Sequence, residues 1–333
     1  MFNFVSFFRM LIKFSTVFLF GATGEIINQK SGHLNMGTPG IMYMGALGGI
    51  FGEWLYIQAL AGSEMNSILV VLIPILFAIL FGALGGAIFS FFTVTLHCNQ
   101  NVTGLTLTTF GVGLSCYFIG AMKSPPTEVL WNNARMADAG RMIQSAFPGS
   151  MELGWFGEIF LSQSWFTYLG IVIAIAAALF LKYTRTGLNL RAVGENASAA
   201  DNAGINVSEY RYIATIVGGA IAGIGGAFYE LDNCKGMFNV ADAVDAFGWL
   251  ALCIVIFSLW KPAIAIGASF LFAGLSQLPD FLSQYLKGIG YVSYLLRMLP
   301  YVATILVLVV VSILDKKNQA PGNLGLSYFR EDR

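Results

Sequence analysis

About nine apolar stretches, from 14 to 29 residues long, recur along this chain and are separated by short polar breaks. This pattern constrains the fold more than any other feature. A helix needs about 20 residues to cross the hydrocarbon of a bilayer. In that solvent every backbone N–H and C=O must find its partner inside the protein, so open sheets and lipid-facing loops are excluded. The stretches fall near 7–28, 39–61, 67–95, 103–122, 165–183, 210–231, 247–260, 263–278 and 298–314. They predict an all-α, polytopic transmembrane helical bundle of about nine spans. Stretches 247–260 and 263–278 are short and are divided by Lys261-Pro262, a stop for any helix, so they read as tilted, broken or re-entrant segments. One transmembrane domain is expected over 1–315, with a polar tail over 316–333.

Composition supports this class. Only 11% of residues are charged and 56% are hydrophobic, against about 25% charged in ordinary soluble domains. The formal net charge is zero, which gives no electrostatic basis for binding nucleic acid. The opening apolar segment lacks a small-residue cleavage site and reads as a retained span. Cys98, Cys116, Cys234 and Cys253 form no CxxC pair, and His33 and His97 are the only histidines. No metal site is expected from them.

The polar run 184–211 is too long and too patterned for a simple turn. Asn196 suits a helix N-cap, residues 197–203 are small, and Gly204 falls where a C′ residue takes positive φ. Arg185, Arg191 and Arg211 place this loop in the cytosol by the positive-inside rule. Two readings stand: a docking helix offered to a cytosolic partner, or a capped surface helix lying on its own protein. The tail carries Lys316, Lys317, Arg330 and Arg333 and is placed on the same side. Segment 123–164, mixed in charge with Pro125, Pro126 and Pro148, is placed outside. Arg9 and Lys13 argue for an inner N-terminus, whereas the parity of the spans puts it outside.

Three polar breaks can carry chemistry. Residues 24–40 contain Asn35 among Gly32, Gly37 and Gly40, with Pro39 at a plausible helix start; they form either a pathway-lining element or a surface loop. Residues 97–104 gather Asn99, Gln100, Asn101 and Thr103, neutral groups that suit an uncharged hydroxyl- or amide-bearing ligand or that simply cap a helix. Residues 232–249 are polar and lead into Phe247-Gly248-Trp249, a possible re-entrant entry. Glu25, Glu53 and Glu230 stand near span ends and read as interfacial. Glycines four apart, Gly45/Gly49, Gly48/Gly52, Gly82/Gly86 and Gly219/Gly223, read first as close helix packing. No nucleotide loop of the G-x-x-x-x-G-K-[ST] type, G-x-S-x-G elbow or H-E-x-x-H pair is present, so no enzyme is expected.

The stretch Arg185-Thr-Gly-Leu-Asn-Leu-Arg-Ala-Val-Gly-Glu-Asn196, followed by Ala199-Ala-Asp-Asn-Ala-Gly-Ile-Asn206, resembles the cytoplasmic coupling segment of ABC-transporter permeases of the branched-chain amino acid/ribose superfamily. The chain looks like the branch tied to nucleoside and simple-sugar uptake. Gly24-Glu-Ile-Ile-Asn28 with Lys30-Ser-Gly-His-Leu-Asn-Met-Gly37 resembles the N-terminal signature of that family. Asn99-Gln-Asn-Val-Thr-Gly104 resembles its second signature, and Ala320-Pro-Gly-Asn-Leu-Gly-Leu-Ser-Tyr-Phe-Arg-Glu331 its characteristic end. Two departures stand out. Gly37-Thr-Pro-Gly-Ile41 replaces a more usual Gly-Val-Glu-Gly-Ile, and His33 occupies a position where a small apolar residue is usual.

The resemblance implies a multi-pass subunit of a bacterial plasma-membrane importer. It implies a second, related but different permease chain, a cytosolic ATP-binding subunit and an extracytoplasmic substrate-binding lipoprotein as partners, with membrane lipid around them. ATP and Mg would reside in the partner ATPase, and this chain would hold no cofactor. The coupling role falls on Arg191, Glu195, Asn196, Ala199, Ala200, Asp201 and Gly204 within a loop over 184–208. Asn35, Asn99, Gln100, Asn101 and Thr103 are the candidates for the substrate pathway. A branched-chain amino acid or pentose importer, and a stand-alone secondary transporter, are the alternatives.

Overall fold

A computed structural model describes residues 4–60, 63–124, 133–144, 147, 154–236, 238, 243–283, 295–296, 298–314 and 320–329. All regular structure among them is helical, in thirteen α-helices. They are α1 (Phe4–Gln29), α2 (Thr38–Ala59), α3 (Ser67–Ser90), α4 (Gln100–Lys123), α5 (Asn133–Ile143), α6 (Gly154–Phe156) and α7 (Trp165–Tyr183). Then follow α8 (Arg185–Glu195), α9 (Ala197–Asn202), α10 (Val207–Phe228), α11 (Ala243–Phe257), α12 (Pro262–Ser283) and α13 (Leu299–Leu314). One-turn π segments extend α3 over Phe91–Thr95 and α10 over Tyr229–Asn233.

Every apolar stretch forms a helix. Among the described residues, six helical segments are both long and apolar enough to cross a membrane: Phe4–Gln29, Ser67–Thr95, Gln100–Lys123, Trp165–Tyr183, Val207–Asn233 and Pro262–Pro279. The count of about nine spans is therefore not confirmed. The 22-residue α2 is not among the six, and α11 and α13 span only 15 and 16 residues. The break at Lys261-Pro262 is real. Leu259 and Trp260 both take positive φ (53° each) to reverse the chain, and Pro262 opens α12, where its missing N–H is not needed. α12 runs on to Ser283, beyond the apolar stretch that announces it.

Helices α1, α2, α3 and α10 form the centre. All residues of α1 from Thr16 to Gln29 are buried, as is α2 from Thr38 to Gly49. Hydrophobic patterning cannot place these helices this closely; the glycines do. A Cβ on Gly45 would collide with the Gly223 backbone, and one on Gly82 with the carbonyl of Gly219. The four-residue glycine spacing is thus a packing device that brings α2 and α3 against α10. By contrast, α3, α4 and α7 turn large apolar side chains outward, among them Leu72, Leu76 and Leu80 of α3 and Val172, Ile175 and Leu179 of α7. That is the expected surface of a helix facing lipid.

Contacts sort the connections to two ends of the bundle. At one end lie residues 30–37, 96–99, α8, α9, Trp260 and the segment 320–329. Asn323 N–H donates to the Gly194 carbonyl (2.9 Å), and Gly325 N–H donates to that of Gly32 (3.0 Å). At the other end lie α5, residues 157–163 and 229–236. There Gln144 Nε2 donates to the Asp232 carbonyl (2.6 Å) and Arg135 Nη2 to that of Ser63 (3.1 Å). The described parts of 123–164 thus lie opposite 184–208. Residues 125–132, 145–146 and 148–153 of that segment, and 315–319 and 330–333 of the tail, fall outside the described residues, as do 237 and 239–242 of the third polar break.

The start of α1 belongs to the α5 end, where Gln163 Nε2 reaches the Arg9 carbonyl (3.4 Å). Lys13 Nζ lies 2.7 Å from Asp232 Oδ2, a fully buried carboxylate, so its charge is paired inside the protein.

The acidic residues near span ends are packed inside the protein and not on its surface. Glu25, Glu53 and Glu230 are all buried, at 3%, 1% and 0% exposure. Proximity to a helix end says nothing about depth when the ends themselves are covered by other segments.

Candidate functional site

The end of the bundle that carries α8 and α9 is assembled by side-chain caps. The Thr184 hydroxyl accepts from Gly187 N–H (3.0 Å) and starts α8. Asn196 adopts extended backbone (φ −152°, ψ 99°), ending α8 and starting α9 at one residue, and its Oδ1 accepts from Ala199 N–H (2.9 Å). α9 closes in a Schellman motif. Ile205 N–H donates to the Ala200 carbonyl (3.0 Å), Gly204 N–H donates to that of Asp201 (2.9 Å), and Gly204 has φ +83°. Asn206 then caps α10 through Glu209 N–H (3.2 Å). A six-residue helix is unstable alone; here both of its ends are chemically fixed.

The faces of α9 differ. Ala197 and Ala200 are buried, at 0% and 4% exposure, against Val193 and Val207, with Ile205, Tyr210 and Tyr328 at the margin. Ser198, Ala199, Asn202, Ala203 and Gly204 face outward. Of the residues expected to couple, Ala199 and Gly204 therefore lie on the free surface, Asp201 at its edge, and Ala200 in the protein's own packing. Arg191 is half-buried and lies away from this face, lining a cavity with Lys30 and Lys261. Glu195 turns toward the tail, and its Oε2 accepts from Gly322 N–H (3.2 Å).

The segment 320–329 has a packing role that its sequence leaves unassigned. It seals α8 to the 30–37 loop, and its Leu326 carbonyl accepts from Arg211 Nη1 (3.1 Å) and Gln100 Nε2 (3.4 Å). The signal available in the sequence is its glycine- and proline-rich composition, which marks turns but not what they touch.

Residues 30–37 are for the most part packed inside the protein. Ser31, His33 and Asn35 are buried at 0%, 0% and 2% exposure. Glu25 organises the turn. Its carboxylate accepts from Gln29 Nε2 (2.9 Å), Thr38 Oγ1 (2.8 Å), Asn28 Nδ2 (3.3 Å) and Asn35 N–H (3.3 Å). Asn35 Oδ1 accepts from Gly37 N–H (2.8 Å), a local side-chain turn that sets the start of α2. His33 Nδ1 lies 3.1 Å from the Thr215 hydroxyl, which donates to Asn28 Oδ1 (2.7 Å). Burial, with the Arg211 guanidinium nearby, holds this imidazole well below its ordinary range, so it is neutral at pH 7.

The second polar cluster divides. Gln100 is buried, and its Oε1 accepts from Leu34 N–H (2.8 Å), tying α4 to the first loop. Asn99 is exposed and caps α4, accepting from Asn101 N–H (3.0 Å) and Val102 N–H (3.1 Å). Asn101 faces outward, and Thr103 is half-buried. Asn99 and Thr103 border a cavity of about 570 Å³ with Phe89, Phe92 and Leu107. Of the five pathway candidates, Asn35 and Gln100 are packed inside the protein in this conformation, Asn99 and Thr103 border this cavity, and Asn101 is exposed without lining it. Among the described residues no group of three metal-ligating side chains occurs.

Comparison with known proteins bears on what such a bundle is for. The family described as "Branched-chain amino acid transport system / permease component" matches residues 6–313. The nucleoside ABC transporter permease protein NupC of Lactococcus lactis subsp. cremoris is 31% identical over 97% of this chain and 96% of its own length. The putative glucose ABC transporter permease protein TsgC13 of Haloferax volcanii is 29% identical over 80% of this chain and 74% of its own. The guanosine ABC transporter permease protein NupQ of Bacillus subtilis is 28% identical, covering 86% of each chain. No solved structure matches. With the family match running from the first turn of α1 to the last turn of α13, this multi-pass membrane protein belongs to the branched-chain amino acid transport system permease family, whose members are transporter subunits rather than enzymes.

Proposed function

We propose that this chain is one permease subunit of an ATP-driven importer of a nucleoside or related simple sugar in a bacterial plasma membrane. The observation that carries the reading is α9. It is pinned at both ends, packed on one face by Ala197 and Ala200, and free of bulk on the other. Such a face fits closely into a groove of a cytosolic ATPase, and a rigidly capped helix transmits displacement instead of melting under it. The names of NupC and NupQ support nucleoside cargo, and that of TsgC13 supports a simple sugar.

In this reading 184–208 and 320–329 face the cytosol and α5 faces outward. ATP and Mg are bound in the ATPase, and this chain supplies half of the pathway, the other half coming from a second, related permease. Asn99, Asn101 and Thr103 line that pathway as neutral hydrogen-bonding groups, while Asn35 and Gln100 hold its wall. An extracytoplasmic lipoprotein captures the substrate, so the pathway itself needs only weak affinity.

The test is uptake of labelled guanosine and of glucose by cells that express the whole transporter with Ala199→Trp or wild-type permease. We expect wild-type guanosine uptake that depends on ATP, and at least tenfold loss in the variant with normal membrane levels. Undiminished uptake in the variant would remove α9 from coupling. Uptake that persists without any ATP-binding subunit would make the chain a stand-alone transporter.

A further inference from the structure

At the α8 end of the bundle, four basic residues from four separate elements line one cavity of about 430 Å³. They are Lys30 after α1, Lys182 in the last turn of α7, Arg191 of α8, and Lys261 before α12. The first turn of α12, a 22-residue helix, forms another part of the wall. The positive end of its dipole therefore adds to the four cations. The remaining wall is apolar, with Ala178 and Leu181 of α7 and Ile264 of α12. Burial lowers the Lys30 pKa most; the nearby Glu195 carboxylate opposes it, and Arg191 and Lys261 add to the lowering. Arg191 Nε is buried with no acceptor among the described residues.

We propose that this cavity binds the headgroup of an anionic phospholipid, with the phosphate between Lys30, Lys182, Arg191 and Lys261 and an acyl chain along α7. The position favours lipid over other anions. The outward face of α7 carries Val172, Ile175 and Leu179 at 60%, 47% and 51% exposure, and leads along the helix to Lys182. Ile264 of α12 is 42% exposed beside it. A free phosphate or nucleotide would use the cations but not the apolar strip. Basic pockets between transmembrane helices are suited to anionic headgroups. Lys182 also lies 4.9 Å over the Tyr183 ring, an aromatic suited to the interfacial level of a bilayer. The inference needs only that the chain is embedded in a membrane, not that it imports a nucleoside.

The experiment uses the full chain, delipidated in detergent, with native mass spectrometry and thermal melting as readouts. Phosphatidylglycerol and phosphatidylcholine of the same chain length are added separately, with and without millimolar inorganic phosphate. Phosphatidylglycerol should bind at least tenfold more tightly than phosphatidylcholine and withstand phosphate. Each basic side chain near the surface is worth about fivefold, so the double variant Lys182→Gln/Lys261→Gln should weaken phosphatidylglycerol about 25-fold. The charge-keeping pair Lys182→Arg/Lys261→Arg should retain it and guards against loss through misfolding. Equal affinity for the two lipids, or unchanged affinity in the Gln pair, would overturn the proposal. Loss in both pairs would do so too, since charge would then not be the basis. Displacement by phosphate would reassign the cavity to a small anion.

Discussion

Single residues at the α8 end act through the backbone more than through contacts. Gly204 is the plainest case: a Cβ there meets nothing within 4 Å, yet its φ is +83°. Gly204→Ala is therefore opposed only by the left-handed conformation, about 1–2 kcal/mol. We expect a chain that inserts and assembles normally but stimulates its ATPase several-fold less, measured as substrate-dependent ATP turnover of the whole transporter. Lys13 is the opposite case. Its ammonium neutralises the buried Asp232 at 2.7 Å. Removing one partner of such a pair leaves an uncompensated buried charge, about 3–5 kcal/mol. Lys13→Ala should lower the melting temperature in detergent markedly, and Lys13→Met with Asp232→Leu should restore most of it. If the single variant melts like wild type, the pair does not stabilise the α5 end.

At the scale of one element, α9 shows why the faces of a helix must be known before it is mutated. Ala199 and Ala200 are adjacent and chemically identical, but the first is exposed and the second 4% exposed against Val193 and Val207. Trp at 200 overpacks the protein's own interior, a cost of about 1–3 kcal/mol. Trp at 199 reaches only what docks from outside. We expect Ala200→Trp to lower both stability and uptake, and Ala199→Trp to lower uptake alone, compared by melting temperature and transport in parallel. Loss of melting temperature in both variants would place Ala199 in the interior as well. The sequence names this helix, its N-cap at Asn196 and its C′ glycine, because capping is local chemistry between residues three to five apart. It does not distinguish 199 from 200, because six residues of small side chains carry no hydrophobic periodicity to orient them.

For the whole molecule, the contacts put α5 and the start of α1 at one end and α8, α9 and 320–329 at the other. Our reading makes the first end extracytoplasmic. In a cysteine-free background, an impermeant maleimide applied to intact cells should label a cysteine at Asp138, which is exposed, and not one at exposed Asn202. The reverse pattern would invert the orientation. Cysteines at the two pathway positions should also differ: Asn101 faces outward and should react, whereas Asn35 is 2% exposed and should react only if the 30–37 loop opens during transport. Equal labelling of both in the resting state would show that the loop does not stay closed.

The sequence by itself determined the class and the helices. Apolar length demands helices in a bilayer, and Pro262, Asn196 and Gly204 mark ends through local backbone chemistry: a missing donor, a side-chain cap and a positive φ. It also identified four-residue glycine spacing as a packing device, since that property belongs to a single helix face. What only the tertiary structure decided is depth and partnership. Glu25 reads as interfacial because it stands near the end of an apolar stretch; it is buried because Asn28, Gln29, Asn35 and Thr38 converge on it. Asn35 and Asn101 read alike as polar breaks, yet the first is packed under α4 and the second is free, since Gln100 draws α4 onto the first loop. The four basic residues of the lipid cavity are spread from Lys30 to Lys261 and carry no shared motif. Local sequence encodes what a residue does to its own backbone; which distant groups it meets is set by how the helices pack.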